Sequence, residues 1–123
     1  MGPDESATEG GRLVVGEYVQ VQTAVPSRDE GMRIARSAVE ARLAACVQVI
    51  GPMTSTYWWK GAVQTGDEYL VLLKTPAARY PDLERLIHSL HSYDVAEIIT
   101  VPVSSGLASY LAWMDDETQA PGA

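Results

Sequence analysis

The hydrophobic positions of this chain change period several times, and each change marks an element. From Tyr18 to Thr23 the side chains alternate, with Val19, Val21 and Thr23 on one face and Tyr18, Gln20 and Gln22 on the other, which predicts a strand. Ala24-Val25-Pro26 ends it. Ser27-Arg28-Asp29-Glu30 then has the form of a capping box, a Ser hydroxyl for the third helical amide and a Glu reaching back to the Ser amide. The helix that follows sets Met32, Ala35, Val39 and Leu43 in an apolar stripe widened by Ile34 and Ala38, with Arg33, Arg36, Glu40 and Arg42 elsewhere. Leu43-Ala44-Ala45 runs directly into Cys46-Val47-Gln48-Val49-Ile50, so the helix joins two strands with almost no loop. Such a crossover predicts parallel strands.

The strand-like pattern persists from Cys46 to Gln64, long for a small domain, and predicts one strand bent at Gly51-Pro52 and again near Gly61. Thr65-Gly66-Asp67 has turn chemistry, and Tyr69-Leu70-Val71-Leu72-Leu73 reads as the return strand of a hairpin, central and buried on both faces. Thr75-Pro76 opens a second helix with Tyr80, Leu83, Ile87 and Leu90 as its apolar stripe. Because proline is tolerated only in a helix's first turn, the regular helix is predicted from near Pro81, with residues 76–80 as a separate turn. His91-Ser92-Tyr93-Asp94 is a connector. Ile98 to Val103 forms the last strand, where Pro102 suits an end or an edge, and Gly106 to Asp116 carries Leu107, Tyr110, Leu111 and Met114 at helical spacing beside Trp113.

The order βαββαβ predicts a ferredoxin-like α+β fold: a four-stranded antiparallel sheet with two helices on one face, a long bent hairpin between the second and third strands, and a short C-terminal helix. One domain is expected over residues 12–117, between a disordered N-terminal tail at 1–11 and a C-terminal tail at 118–123. The other face of the sheet is left open. An apolar open face and an overlong hairpin carrying Tyr57, Trp58 and Trp59 imply burial against a partner, most simply another copy of the chain.

Composition narrows the partners. A formal charge of −7 with no basic cluster argues against a nucleic-acid binder. No apolar run approaches the 18 residues or so of a membrane span, and no signal peptide is recognisable; a single cysteine makes no internal disulfide, so a reducing cytoplasm is expected. Met1 to Ser6 satisfies the loose myristoylation pattern, but the polar, acidic, Gly-rich composition reads more simply as a tail.

Chemistry-bearing residues are few. Cys46 is either a packed thiol or a metal or redox group. His88 and His91, three apart at the end of the second helix, either share a soft divalent metal or simply suit the helix dipole. His91, Tyr93, Asp94 and Glu97 crowd the connector and Lys74 ends the central strand, marking either a site or a subunit-contact network. Trp58 and Trp59 are interface aromatics or a ligand-stacking platform. Gly-x-Gly-x-x-Gly, P-loop, His-Glu-x-x-His and Cys-x-x-Cys patterns are absent, and no catalytic residue is assigned.

Ala24-Val25-Pro26, Ile34-Ala35, Leu43-Ala44-Ala45-Cys46-Val47, Tyr57-Trp58-Trp59-Lys60-Gly61, Leu73-Lys74-Thr75, His91-Ser92-Tyr93 and Tyr110-Leu111-Ala112-Trp113 resemble, in order and spacing, the CutA family of divalent-cation tolerance proteins. The resemblance implies a tight homotrimer whose architecture is shared with PII signalling proteins, with long hairpins embracing the neighbouring subunit, a link to copper tolerance and no settled enzymatic activity. Cys46, Tyr57, Trp58, Lys74, His91, Tyr93 and Glu97 fall on family motif positions. In some relatives copper binding is ascribed to a cysteine ending the first strand and to two consecutive histidines before a Pro-Tyr step; here those places hold Thr23 and Leu90-His91, Ser92 replaces the proline, and Ala96 stands where a proline often precedes the Glu. The expectation is a cytoplasmic, metal- or small-ligand-responsive binding protein with clefts between subunits. His91 and Cys46 would face copper or another divalent cation, and Lys74, Tyr93 and Glu97 would line the cleft. Alternatives are a PII-like adaptor scaffold without metal, or an enzyme dependent on Cys and His.

Overall fold

The computed structural model describes Arg12, Leu13 and residues 17–119; the expected N-terminal tail lies outside the described residues, as do residues 120–123. The chain runs β1 (Arg12–Leu13), β2 (Tyr18–Val25), α1 (Arg28–Glu40), β3 (Cys46–Trp59), β4 (Ala62–Pro76), a 3-10 turn (Ala77–Arg79), α2 (Tyr80–Leu90), β5 (Ile98–Pro102), β6 (Ser105–Gly106) and α3 (Ala108–Glu117). The main sheet has the order β3-β4-β2-β5 with every neighbour antiparallel. This is the ferredoxin-like α+β arrangement. The crossover strands β2 and β3 are parallel as expected, since both oppose β4, which lies between them. A small second sheet pairs β1 with β6, which the alternation of the sequence did not signal.

One face of the sheet is closed by α1 and α2. Val19, Val21 and Val25 from β2 and Val71 and Leu73 from β4 meet Ile34 and Ala38 of α1 and Leu83 and Ile87 of α2 in the main core. Each large apolar side chain fully buried there contributes roughly 1.5–3 kcal/mol. The α1 stripe is displaced from the expected one. Ile34, Ala35 and Ala38 are buried, with Gly31 and Glu30 one turn earlier, whereas Met32 and Val39 are each 42% exposed at its margins. The capping box is half realised: Ser27 Oγ accepts the Glu30 amide at 3.2 Å, but the Glu30 carboxylate turns away to the α2–β5 connector.

The hairpin differs from expectation at its tip. Its turn is Lys60-Gly61, with φ of 51° and 79°, the two-residue turn in which both central residues are left-handed and whose twist matches that of the flanking strands. Thr65-Gly66-Asp67, expected as the turn, lies inside β4, where Gly66 opposes Ser55. Two left-handed residues after a tryptophan pair outweighed Thr-Gly-Asp turn chemistry, which a strand accommodates as one slim position. The bend near Gly51-Pro52 is present as a register shift between Ile50 and Met53. Gly51 is needed there, because a Cβ on it would come within 2.6 Å of the Tyr69 ring. Pro81 lies in the first turn of α2, preceded by the separate 3-10 turn, and Pro102 ends the edge strand β5.

The return strand is central but not buried on both sides within one chain. Val71 and Leu73 are fully buried against the helices, while Leu70 and Leu72 on the opposite face are only half-buried. The Tyr18 end of that face is covered by α3, and at the other end Ala24 is also buried. Tyr18, Leu111 and Met114 form a second cluster with Ala45 and Val103, and the Tyr18 hydroxyl donates to Asp115 Oδ2 at 2.5 Å. Thr118, the first residue of the expected C-terminal tail, is instead buried and donates its hydroxyl to Met114 O at 2.8 Å.

Candidate functional site

The chain turns sharply out of α2 at His91, whose backbone is extended. The imidazole swings under the sheet end and is fully buried. Its Nε2 lies 2.8 Å from Ala24 O, and its Nδ1 accepts the Tyr93 amide at 3.1 Å. A carbonyl only accepts and an amide N–H only donates, so the ring is held as the neutral form protonated at Nε2. Beside it, Glu30 Oε2 accepts the Ser92 amide at 2.9 Å and stands 3.7 Å from Nδ1. Two successive amides of the connector are therefore captured, one by α1 and one by the histidine itself.

Tyr93 completes the group. Its ring centroid is 5.1 Å from that of His91, and its hydroxyl donates to Glu68 Oε2 at 3.0 Å. Burial pushes this phenol up to about 12, with the Glu68 hydrogen bond and charge adding to it and Tyr57 and Glu30 contributing less. The result at neutral pH is a protonated phenol tied to a carboxylate at the base of the hairpin.

A second group sits at the other end of the sheet. Cys46 and Lys74 are cross-strand partners, so they share a face, and the Lys74 ammonium donates to Gln48 Oε1, two residues along β3 on the same face. Cys46 is part-exposed. The Tyr110 phenol of α3 is raised by burial and then by the neighbouring Cys46 sulfur. This places the thiol under α3 at the margin of the open face.

The expected site residues thus divide. His91 and Tyr93 come together, and so do Cys46 and Lys74, but the two pairs do not meet within one chain. His91 is bonded to Ala24, which opposes Leu70, whereas Cys46 opposes Lys74 four positions along β4. At about 3.3 Å per residue that is roughly 13 Å, while two ligands of one metal ion stand about 4 Å apart. Glu97 is exposed just before β5. His88 and His91 do not converge either: His88 is exposed in a groove of about 400 Å³ with Glu84, Asp94 and Val95, and His91 points inward. Thr23 is fully buried on the core face.

These donors do not fit a resident metal ion inside one subunit, because both His91 nitrogens are engaged and the one thiol is at the opposite end of the sheet. Among the described residues no three His, Cys, Asp or Glu side chains converge in a way that could hold one. Residue-by-residue reasoning missed Glu30 and Glu68, the carboxylates that fix the connector. Glu30 was visible only as a capping residue, and Glu68 carried no signal beyond its place after the Thr65-Gly66-Asp67 segment.

A four-stranded antiparallel sheet backed by two helices, with a polar cluster where the α2–β5 connector meets the hairpin base, defines a ferredoxin-like α+β protein whose likeness to known families can be tested directly. Residues 19–117 match the family model described as CutA1 divalent ion tolerance protein, and the chain belongs to that family. It is 36% identical over 118 residues to the human Protein CutA, covering 96% of this chain and 66% of the human protein. It is 40% identical over 94 residues to the divalent-cation tolerance protein CutA of Thermus thermophilus, covering 76% of this chain and 91% of that one. Among solved structures, CutA from Xylella fastidiosa superposes with a TM-score of 0.82 at 34% identity, over 84% of this chain and 99% of that one. The Thermus thermophilus structure gives 0.80 at 38% identity, over 83% and 99%.

The chain spans 66%, 63% and 57% of the length of the human, mouse and rice relatives. The names of relatives place them in different compartments: the rice protein is described as chloroplastic and the Archaeoglobus fulgidus structure as periplasmic. No helix among the described residues is long and apolar enough to cross a membrane.

Proposed function

We propose that this chain is a cytoplasmic, homotrimeric divalent-cation tolerance protein that responds to copper, another divalent cation or a small ligand at clefts between subunits, without a bond-making step. The observation that carries the reading is the uncovered face of the sheet. Ile50 is 51%, Ile99 48% and Val101 42% exposed there, beside half-buried Leu70 and Leu72, and the hairpin extends Trp58, 74% exposed, beyond the domain's own core. An apolar face of this kind on a chain with charge −7 calls for a second copy rather than for nucleic acid. A ring of three copies makes its contacts between two different surfaces of the chain, which would let the two half-sites meet across a boundary. Lys74 from one end and Tyr93 and Glu97 from the other are the polar residues that would line such clefts. Of the two residues expected to face a cation, His91 and Cys46, Cys46 is the part-exposed soft donor, so a copper contact in this chain would rest on its sulfur.

The mechanism would be a shift among subunit arrangements by whatever differential affinity the ligand has for them. Native mass spectrometry is expected to give a trimer. Thermal unfolding with added copper, zinc or small anions is expected to rise with ligand concentration, since a ligand that binds only the folded state stabilises it in proportion to the logarithm of its concentration. Cys46→Ser should abolish a copper-dependent rise, and Lys74→Ala or Glu97→Gln a small-ligand one. A trimer whose melting temperature no small ligand moves would leave the family's scaffold-like alternative, a PII-like adaptor, in place of this reading.

A further inference from the structure

We propose that His91 is a neutral strut rather than a cation ligand, and that it positions Tyr93 against Glu68 at the base of the hairpin. Three observations carry this. The imidazole is fully buried, so a cation has no approach to it without opening the α2–β5 connector. Its Nε2 proton is committed to Ala24 O at 2.8 Å and its only lone pair, on Nδ1, to the Tyr93 amide at 3.1 Å. Coordination needs a lone pair, and taking either nitrogen would leave a backbone carbonyl or amide without its partner. The nearby carboxylate does not offer a substitute, since Glu30 Oε2 already accepts the Ser92 amide at 2.9 Å and stands beyond hydrogen-bond reach of Nδ1 at 3.7 Å.

The positioning follows from the same bonds. Anchoring the Tyr93 amide on Nδ1 fixes the backbone from which the Tyr93 side chain leaves, and the two rings rest at 5.1 Å with a 45° tilt. From there the phenol reaches Glu68 Oε2 at 3.0 Å. Glu68 opposes Met53, the first paired residue after the register shift in β3. His91 thereby ties β2, the connector and, through Tyr93, the returning hairpin arm β4 to one another. The inference rests on the reading above only in treating Tyr93 as a cleft residue, and its test does not depend on whether a cation binds.

Long-range proton–nitrogen NMR on the full chain reads the tautomer of each histidine. His91 is expected as the Nε2-protonated form, unchanged when Zn²⁺ alone is added, whatever Zn²⁺ does elsewhere. An imidazolium, an Nδ1-protonated ring, or His91 nitrogen shifts that track Zn²⁺ would overturn the proposal. Positioning is tested with two variants of different reach. His91→Asn keeps an acceptor near the Nδ1 position and is expected to retain the wild-type Tyr93 ring resonances. His91→Gln keeps a donor near Nε2 but loses that acceptor, and is expected to shift them. Equal Tyr93 spectra in both would remove the positioning role, and wild-type tautomer data stand even where a variant folds poorly. A metal-binding trimer with an inert His91 supports the inference; a chain whose melting temperature neither metal nor small ligand moves, yet which shows the same tautomer, supports it while sinking the proposed function.

Discussion

At the residue scale, a buried hydroxyl and a half-buried one set opposite demands. Thr23 Oγ1 is enclosed in the core without a hydrogen-bond partner among the described residues, although its side chain has the shape of valine. Deleting an unsatisfied buried hydroxyl removes a desolvation cost, so Thr23→Val is expected to stabilise the chain by about 1 kcal/mol, read as a higher urea midpoint at unchanged slope. Tyr93 behaves in the other sense. Its folded pKa, about 12, stands above the unfolded value of 10.0. A group raised on folding contributes stability that is complete below the unfolded pKa and is lost as pH climbs through the folded one. Urea midpoints should therefore fall between pH 10 and 12 more steeply in wild type than in Tyr93→Phe, and curves that stay parallel would remove Tyr93 from the account. What was legible at this scale was residue type. His91, Tyr93, Lys74, Cys46 and Glu97 could be named because polar and reactive groups at strand ends stand out, but which nitrogen His91 commits, and to what, depends on Ala24 and Tyr93 meeting around it, and no local pattern encodes that.

At the element scale the sequence was most readable where one residue excludes alternatives. Pro81 fixed the start of α2, Pro102 the end of β5, and Gly51-Pro52 the break in β3, each because proline removes a donor or glycine removes a side chain. It was least readable where two signals competed. The hairpin could turn at Lys60-Gly61 or at Thr65-Gly66-Asp67, and only the pairing of β3 with β4 decides it. Gly61 has φ of 79° and open space around it, so Gly61→Ala brings conformational strain without a clash. It is expected to lower stability by about 1 kcal/mol, seen in the thermal midpoint. Gly66→Ala, inside the strand and with no atom within 4 Å of where its methyl group would stand, should be neutral or mildly stabilising. The α1 stripe slipped for a related reason. Periodicity alone admits two adjacent stripes on this helix, and the one containing Gly31, Ile34 and Ala38 wins because its small residues let α1 approach Val25, Val49 and Val71.

At the scale of the whole molecule, the sheet has a finished side and an unfinished one. The open face was legible early because the fold supplies only two helices for two faces, and α3 was expected but not its role as a partial cover. Placing a charge in the middle of that face tests what completes it. Ile99→Lys is expected to convert the proposed trimer to smaller species in native mass spectra while leaving helix and strand content unchanged, since Ile99 is 48% exposed in the single chain and contributes nothing to its main core. Retention of the trimer would show that another surface joins the subunits. The sheet order adds a consequence for such variants. β3 is an edge strand of 14 residues, Cys46–Trp59, and not one of them is charged. Natural edges are usually guarded by lysine, proline, bulges or brevity, and here the guard is Pro52 with its register shift and the Lys60 just past the end. A subunit kept from its neighbours therefore offers a long, neutral, aromatic-tipped template to other chains, so the smaller species released by such a variant should be visible at low concentration and pass into aggregates as concentration rises, and assembly would be what keeps this chain in solution.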